Sequence, residues 1–149
     1  MLREHAVRFR QAIEQAPPGR LGSSLTSFPA GACGDASLLL GSYLQEVGEG
    51  EFSYVLGWRA RERDGVRDGR ESHAWLQQGE ILIDITADQF STESAPIEPV
   101  IVTNAPNPLH LSFETEVVHE VAGYQTYITD PYTFSHLQRA YRLVKGRLP

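Results

Sequence analysis

The chain has 149 residues, 41% of them hydrophobic, with a formal net charge of -6 and a pI near 5.3. That length suits one ordinary core, so a single domain over residues 1–149 is expected. The acidic balance argues against a nucleic-acid partner, which a basic face would announce, and no apolar run approaches the ~20 residues that span a bilayer, so no membrane association is expected.

Leu2, Ala6, Phe9, Ile13 and Ala16 trace one face of an opening helix, which must stop before Pro17, Pro18 and Gly19. Its charged and apolar residues are interleaved, without the apolar centre of a signal peptide. Together with a single unpaired cysteine, this predicts a reducing, cytoplasmic location. That cysteine, Cys33, stands where a second helix should begin, because Pro29 and Gly31 forbid a continuous helix upstream. After it, Ala36, Leu39, Leu40, Tyr43, Leu44 and Val47 repeat at i, i+3, i+4, i+7, and Gly48 supplies the stop. Cys33 extends that stripe, so its sulfur is expected to face inward at a helix N-terminus. Unpaired N–H groups and the helix dipole favour a thiolate there, although Asp35 opposes them.

Residues 52–60 read as a strand that runs into a charged segment, 61–71. Asp64-Gly65 and Asp68-Gly69 make that segment a solvated loop or a polar hairpin tip, and its position just before His73 places it beside a cleft. Residues 72–85 read as a hairpin. With the turn centred on Gln78 and Gly79, Leu76 faces Ile81, Trp75 faces Leu82, and His73 lies directly across from Asp84, within reach of a hydrogen bond. A slipped register would leave Asp88 as the fallback carboxylate. His73 and Trp75 share a face, so the indole is expected to shield the imidazole.

Beyond Phe90, loop-like stretches bracket a short strand over 99–103, and residues 117–129 are expected to rejoin the sheet around 123–128. His110 and His119 lack metal-ligand spacing and read as structural or exposed, so no metal site and no cofactor are expected. The chain should close with an amphipathic helix presenting Phe134, Leu137, Tyr141 and Val144.

Cys33, His73 and Asp84 are, in that order, the residue types of a thiol nucleophile, its base and an orienting carboxylate. Together with Ala36 and Leu39 after the cysteine, Gly57-Trp58, His73-Ala74-Trp75 and Asp84-Ile85-Thr86, they resemble the core of the transglutaminase-like superfamily of papain-like thiol enzymes, over residues 28–90. The resemblance implies an α+β papain-like fold with the nucleophile helix packed on an antiparallel sheet. It implies Cys33 as nucleophile, His73 as general base and acid, and Asp84 as orienter. It departs from the family in the tight interval between His73 and Asp84, and in the absence of a Trp before Asp84. Ser24 and Ser27 are the candidates upstream for a second oxyanion donor, beside the backbone N–H of Cys33.

The expected function is therefore a cysteine peptidase or deamidase that cleaves an amide of a peptide or protein substrate through a thioester. The alternatives are a transglutaminase or acyltransferase using the same three residues, and a catalytically silent binding module. No Gly-x-Ser-x-Gly elbow, phosphate-binding loop or dinucleotide fingerprint supports a serine hydrolase, an NTPase or a dinucleotide enzyme.

Overall fold

The computed structural model describes residues 1–148, without the side chains of Pro18 and Ser23. Helix α1 (Leu2–Gln15) is followed by a helical turn, α2 (Pro18–Leu21), a 3₁₀ turn at Ser23–Ser27, and helix α3 (Cys33–Glu46). Strands β1 (Ser53–Arg63), β2 (Val66–Gln78) and β3 (Ile81–Asp84) come next. A 3₁₀ turn at Ala87–Phe90 leads to β4 (Ile101–Thr103), the turn α4 (Pro108–Leu111), β5 (Glu114–His119), the turn α5 (Tyr124–Tyr127) and helix α6 (Pro131–Lys145). The strands form one antiparallel sheet in the order β4-β3-β2-β1-β5, so the chain is α+β.

Alternation along the strands divides the interior in two. Tyr54 on β1, Ala74 and Leu76 on β2 and Ile83 on β3 face the helices, where they join Phe9 and Ile13 of α1, Leu39 and Leu44 of α3, and Leu137 and Val144 of α6. The opposite face carries a smaller cluster of Val55, Trp75 and Phe113, backed by Leu82, Phe90 and Leu109. His73 and Asp84 have the parity of this second face.

The charged segment is strand rather than loop. β1 and β2 continue as one long hairpin to Arg63 and Val66, with a register shift between Ala60 and Glu62. Its turn residues, Asp64 and Gly65, have φ of 52° and 77°, as a two-residue turn with both central residues left-handed requires. Cross-strand ion pairs such as Arg59–Glu71 occupy the positions where apolar partners would sit in a buried hairpin.

The second hairpin differs from the expected register by two residues. Leu76 pairs with Ile83 and Gln78 with Ile81, because the turn is Gly79-Glu80 rather than Gln78-Gly79. Gly79, with φ of 58°, takes the first central position, where only glycine is unstrained in such a turn. A slip of two preserves the face, so Asp84 stays on the side of His73 but meets it diagonally.

Residues 123–128 do not rejoin the sheet. Here tertiary bonds outweigh the β propensity of the tyrosines. The N–H of Ala122 donates to Phe52 O, and that of Tyr124 donates to Ser42 Oγ at 3.1 Å, which ties the segment to α3 as a helical turn. Gly41 in α3 makes this approach possible, since a Cβ there would stand 2.4 Å from Ala122 O. Helix α6 begins as its sequence demands, with Asp130 accepting the N–H of Thr133 at 2.8 Å and Pro131 in the first turn.

Candidate functional site

The site is assembled at the N-terminal end of α3 and the neighbouring part of β2. Cys33 is the first residue of its helix, half-buried against the main core, as the apolar stripe predicts. The pairing of β2 with β3 ends at Leu76, which leaves the edge of β2 at His73 without a strand on that side. His73 itself is fully buried. Its ring lies among Phe90, Trp75 and Phe113, with centroids at 5.0, 5.6 and 5.8 Å. Arg59 closes this aromatic cluster from outside, with its guanidinium 4.3 Å from the ring of Phe113 and 4.9 Å from that of Phe90.

Asp84 holds the imidazole. His73 Nε2 donates to Asp84 Oδ2 at 2.6 Å, and both side chains are inaccessible to solvent. The same oxygen receives His110 Nε2 at 2.7 Å, while Oδ1 accepts the Thr86 N–H at 2.9 Å. Burial alone would push this carboxyl upward, but hydrogen bonds from His110 and His73 and their charge hold it well below the usual carboxylate range. Burial likewise works against the His73 cation. The bond to Asp84 and the nearby Cys33 sulfur, together with their charges, outweigh it and lift the imidazole to about 9. Because Nε2 is engaged by Asp84, Nδ1 is the nitrogen available to the sulfur; the side-chain amide of Gln89 also stands 3.4 Å from it. The arrangement is a buried imidazole–carboxylate pair in which the imidazolium form is favoured.

Asp88, the fallback carboxylate, serves elsewhere. Both of its oxygens bond Arg10, at 2.6 and 2.8 Å, and Arg10 also donates to Ile85 O and Pro99 O, each at 2.8 Å. That guanidinium fastens α1 to the chain leaving Asp84, and so fixes where the carboxylate points. Neither serine expected near the sulfur is placed as an oxyanion donor by its contacts: Ser24 donates to Asp35 at 2.6 Å, and Ser27 is exposed.

His110 is a site residue that sequence reasoning left out. It sits on α4, a turn begun by Asn107, whose Oδ1 accepts the Leu109 N–H at 3.0 Å. Its ring meets Trp75 edge-on at 4.6 Å, and its buried Nδ1 has no hydrogen-bond partner among the described residues. His119 has no such role; it is half-buried, with its ring 5.7 Å from that of Tyr127. The donor atoms of His73, Asp84 and His110 lie within 4.8 Å of one another, so two imidazoles and a carboxylate could hold a divalent cation. The 2.6 and 2.7 Å separations are those of charge-assisted hydrogen bonds, and a cation would have to displace the protons that make them.

No family model, curated protein or solved structure matches the chain. Among the described residues, no helix is long and apolar enough to cross a membrane.

Proposed function

We propose that the protein is a thiol-dependent hydrolase, a cysteine peptidase or deamidase with a papain-like, transglutaminase-like core, acting on an amide of a peptide or protein. The observation that carries this reading is the buried His73 imidazole, fixed by Asp84 at 2.6 Å on the strand that packs against the helix begun by Cys33. An imidazolium kept beside a thiol is the environment that activates a sulfur nucleophile. A structural histidine needs no second partner of that kind.

In the proposed reaction the Cys33 sulfur, a thiolate whose proton is held by the His73 imidazolium, forms a bond to the amide carbon, and the carbonyl π pair moves onto oxygen. When that pair returns, the C–N bond breaks and the amine leaves with the proton of the His73 imidazolium. The ring, now neutral, takes a proton from water as the water oxygen attacks the thioester. Collapse releases the carboxylic acid and restores the thiolate–imidazolium pair. Asp84 keeps the Nε2 proton in place throughout, so that Nδ1 is the atom that exchanges it.

Alkylation by iodoacetamide tests the reading, because Cys33 is the sole cysteine. The expected result is labelling at neutral pH well above the rate of free cysteine, with the excess abolished in His73→Ala. Labelling at the free-thiol rate, unchanged in His73→Ala, would leave Cys33 a structural thiol and favour the silent binding module. Incubating an acylated intermediate with and without a primary amine then separates hydrolysis from acyl transfer.

A further inference from the structure

The hydroxyl of Tyr54 lies at the N-terminal turn of α3. Tyr54 is on β1, its residue is only 7% exposed, and its ring packs 5.2 Å from that of Tyr127. Its Oη reaches the helix start so closely that a Cβ on Gly34 would stand 3.1 Å from it. No group among the described residues hydrogen-bonds this hydroxyl. The residue is buried but its oxygen is not among the fully buried unpartnered atoms, so the hydroxyl opens onto space that another oxygen can enter.

The surroundings indicate what that is. The backbone bonds of α3 begin with Ala36 N–H to Ala32 O at 2.8 Å, and Ala32 has no capping side chain. The N–H groups of Cys33 and Gly34 therefore have no partner among the described residues. Three donors, two from the backbone and one phenolic, lie at the helix start that begins with Cys33. Burial first, and then the charges of Cys33, Tyr127 and Asp35, hold the phenol above its ordinary titration range, so it remains a donor at any working pH.

We propose that Tyr54 is the side-chain donor of an oxyanion pocket, completed by the backbone N–H groups of Cys33 and Gly34, that receives the carbonyl oxygen of an acyl substrate. The inference rests on the thiol-hydrolase reading and assigns to it a residue that the sequence did not reveal. When sulfur adds to the carbonyl carbon and the π pair moves to oxygen, the Tyr54 O–H donates a hydrogen bond to that oxygen without giving up its proton. The bond weakens when the carbonyl re-forms and the leaving group departs. A side chain at Gly34 would crowd the phenolic oxygen, which would have to give by a few tenths of an ångström.

Two reagents separate this role from simple packing. Acylation of Cys33 by p-nitrophenyl acetate passes through an oxyanion, with nitrophenolate as the leaving group. Alkylation by iodoacetamide displaces iodide at carbon and forms no oxyanion. Tyr54→Phe, which keeps the ring, is expected to lower the acylation rate roughly 100-fold and leave alkylation unchanged. Gly34→Ala, which crowds the hydroxyl, should show the same split to a smaller degree. Tyr54→Phe acylating at the wild-type rate, with alkylation also normal, would overturn the assignment of Tyr54 alone. A wild-type thiol no more reactive than free cysteine toward iodoacetamide would instead overturn the reading on which it rests.

Discussion

Replacing Asp84 with asparagine removes the one charge that two buried imidazoles share. Asparagine has a single acceptor oxygen. If that oxygen keeps the Thr86 N–H, the amide NH₂ is turned toward His73 and His110, whose Nε2 atoms now donate to Asp84 at 2.6 and 2.7 Å. The His73 proton must then move to Nδ1, the nitrogen that has to accept from the sulfur. The raising of His73 from 6.5 to about 9 corresponds to roughly 3 kcal/mol at 1.36 kcal/mol per unit. That agrees with the roughly 3–5 kcal/mol lost when one partner of a buried ion pair is removed. Asp84→Asn should therefore unfold about 10 °C below the wild type at neutral pH, since each kcal/mol moves a chain of this size by roughly 2–4 °C. It should also lose the excess reactivity of Cys33 toward iodoacetamide. Calorimetry and alkylation kinetics on one preparation measure both. A variant as stable and as reactive as the wild type would refute the claim that Asp84 holds the imidazolium.

Further outcomes follow from the same geometry. His73 has a folded pKa above its unfolded value, so its stabilising contribution is complete below about 6.5 and is lost as pH rises through about 9; that of Asp84 is present above its ordinary 3.8 and fades in acid. Urea unfolding across pH should accordingly show greatest stability between these limits, and a flat profile from neutral to alkaline pH would contradict the pairing. Arg10→Leu strips partners from Asp88, Ile85 O and Pro99 O and should cost about 3 kcal/mol, with Cys33 reactivity falling as the segment after Asp84 loosens; urea titration beside alkylation reads both. Gly41→Ala places a methyl 2.4 Å from the Ala122 carbonyl and should destabilise by roughly 1–3 kcal/mol, whereas a gain in thermal stability, as helix propensity alone would give, would show that the chain can yield there.

What the sequence made legible was local. The apolar stripe from Ala36 to Leu44 and the proline and glycine upstream located the start of α3 and put Cys33 at its first residue. Asp130 and Pro131 likewise announced α6. Strand alternation put His73, Trp75 and Asp84 on one face, and that survived a turn placed one residue early, because the resulting slip of two preserves the face. The missing parts are those fixed by distant contacts. His110 reaches Asp84 from a short turn 26 positions away, and nothing in its neighbours signals that destination. The hydroxyl of Tyr54 reaches Gly34 because β1 lies against the start of α3, a matter of packing between elements. Residues 123–128, rich in tyrosine, read as strand until the bonds to Phe52 and Ser42 are seen to pull them into a turn.

The central claim is that the sulfur and the imidazole act on each other. Nitrogen-15 NMR of the His73 ring, in the wild type and in Cys33→Ser, tests it most directly. The account predicts a ring that carries both protons at neutral pH and releases one near 9, with that titration lowered when the sulfur is replaced. A ring already neutral at neutral pH, titrating identically in both proteins, would contradict it.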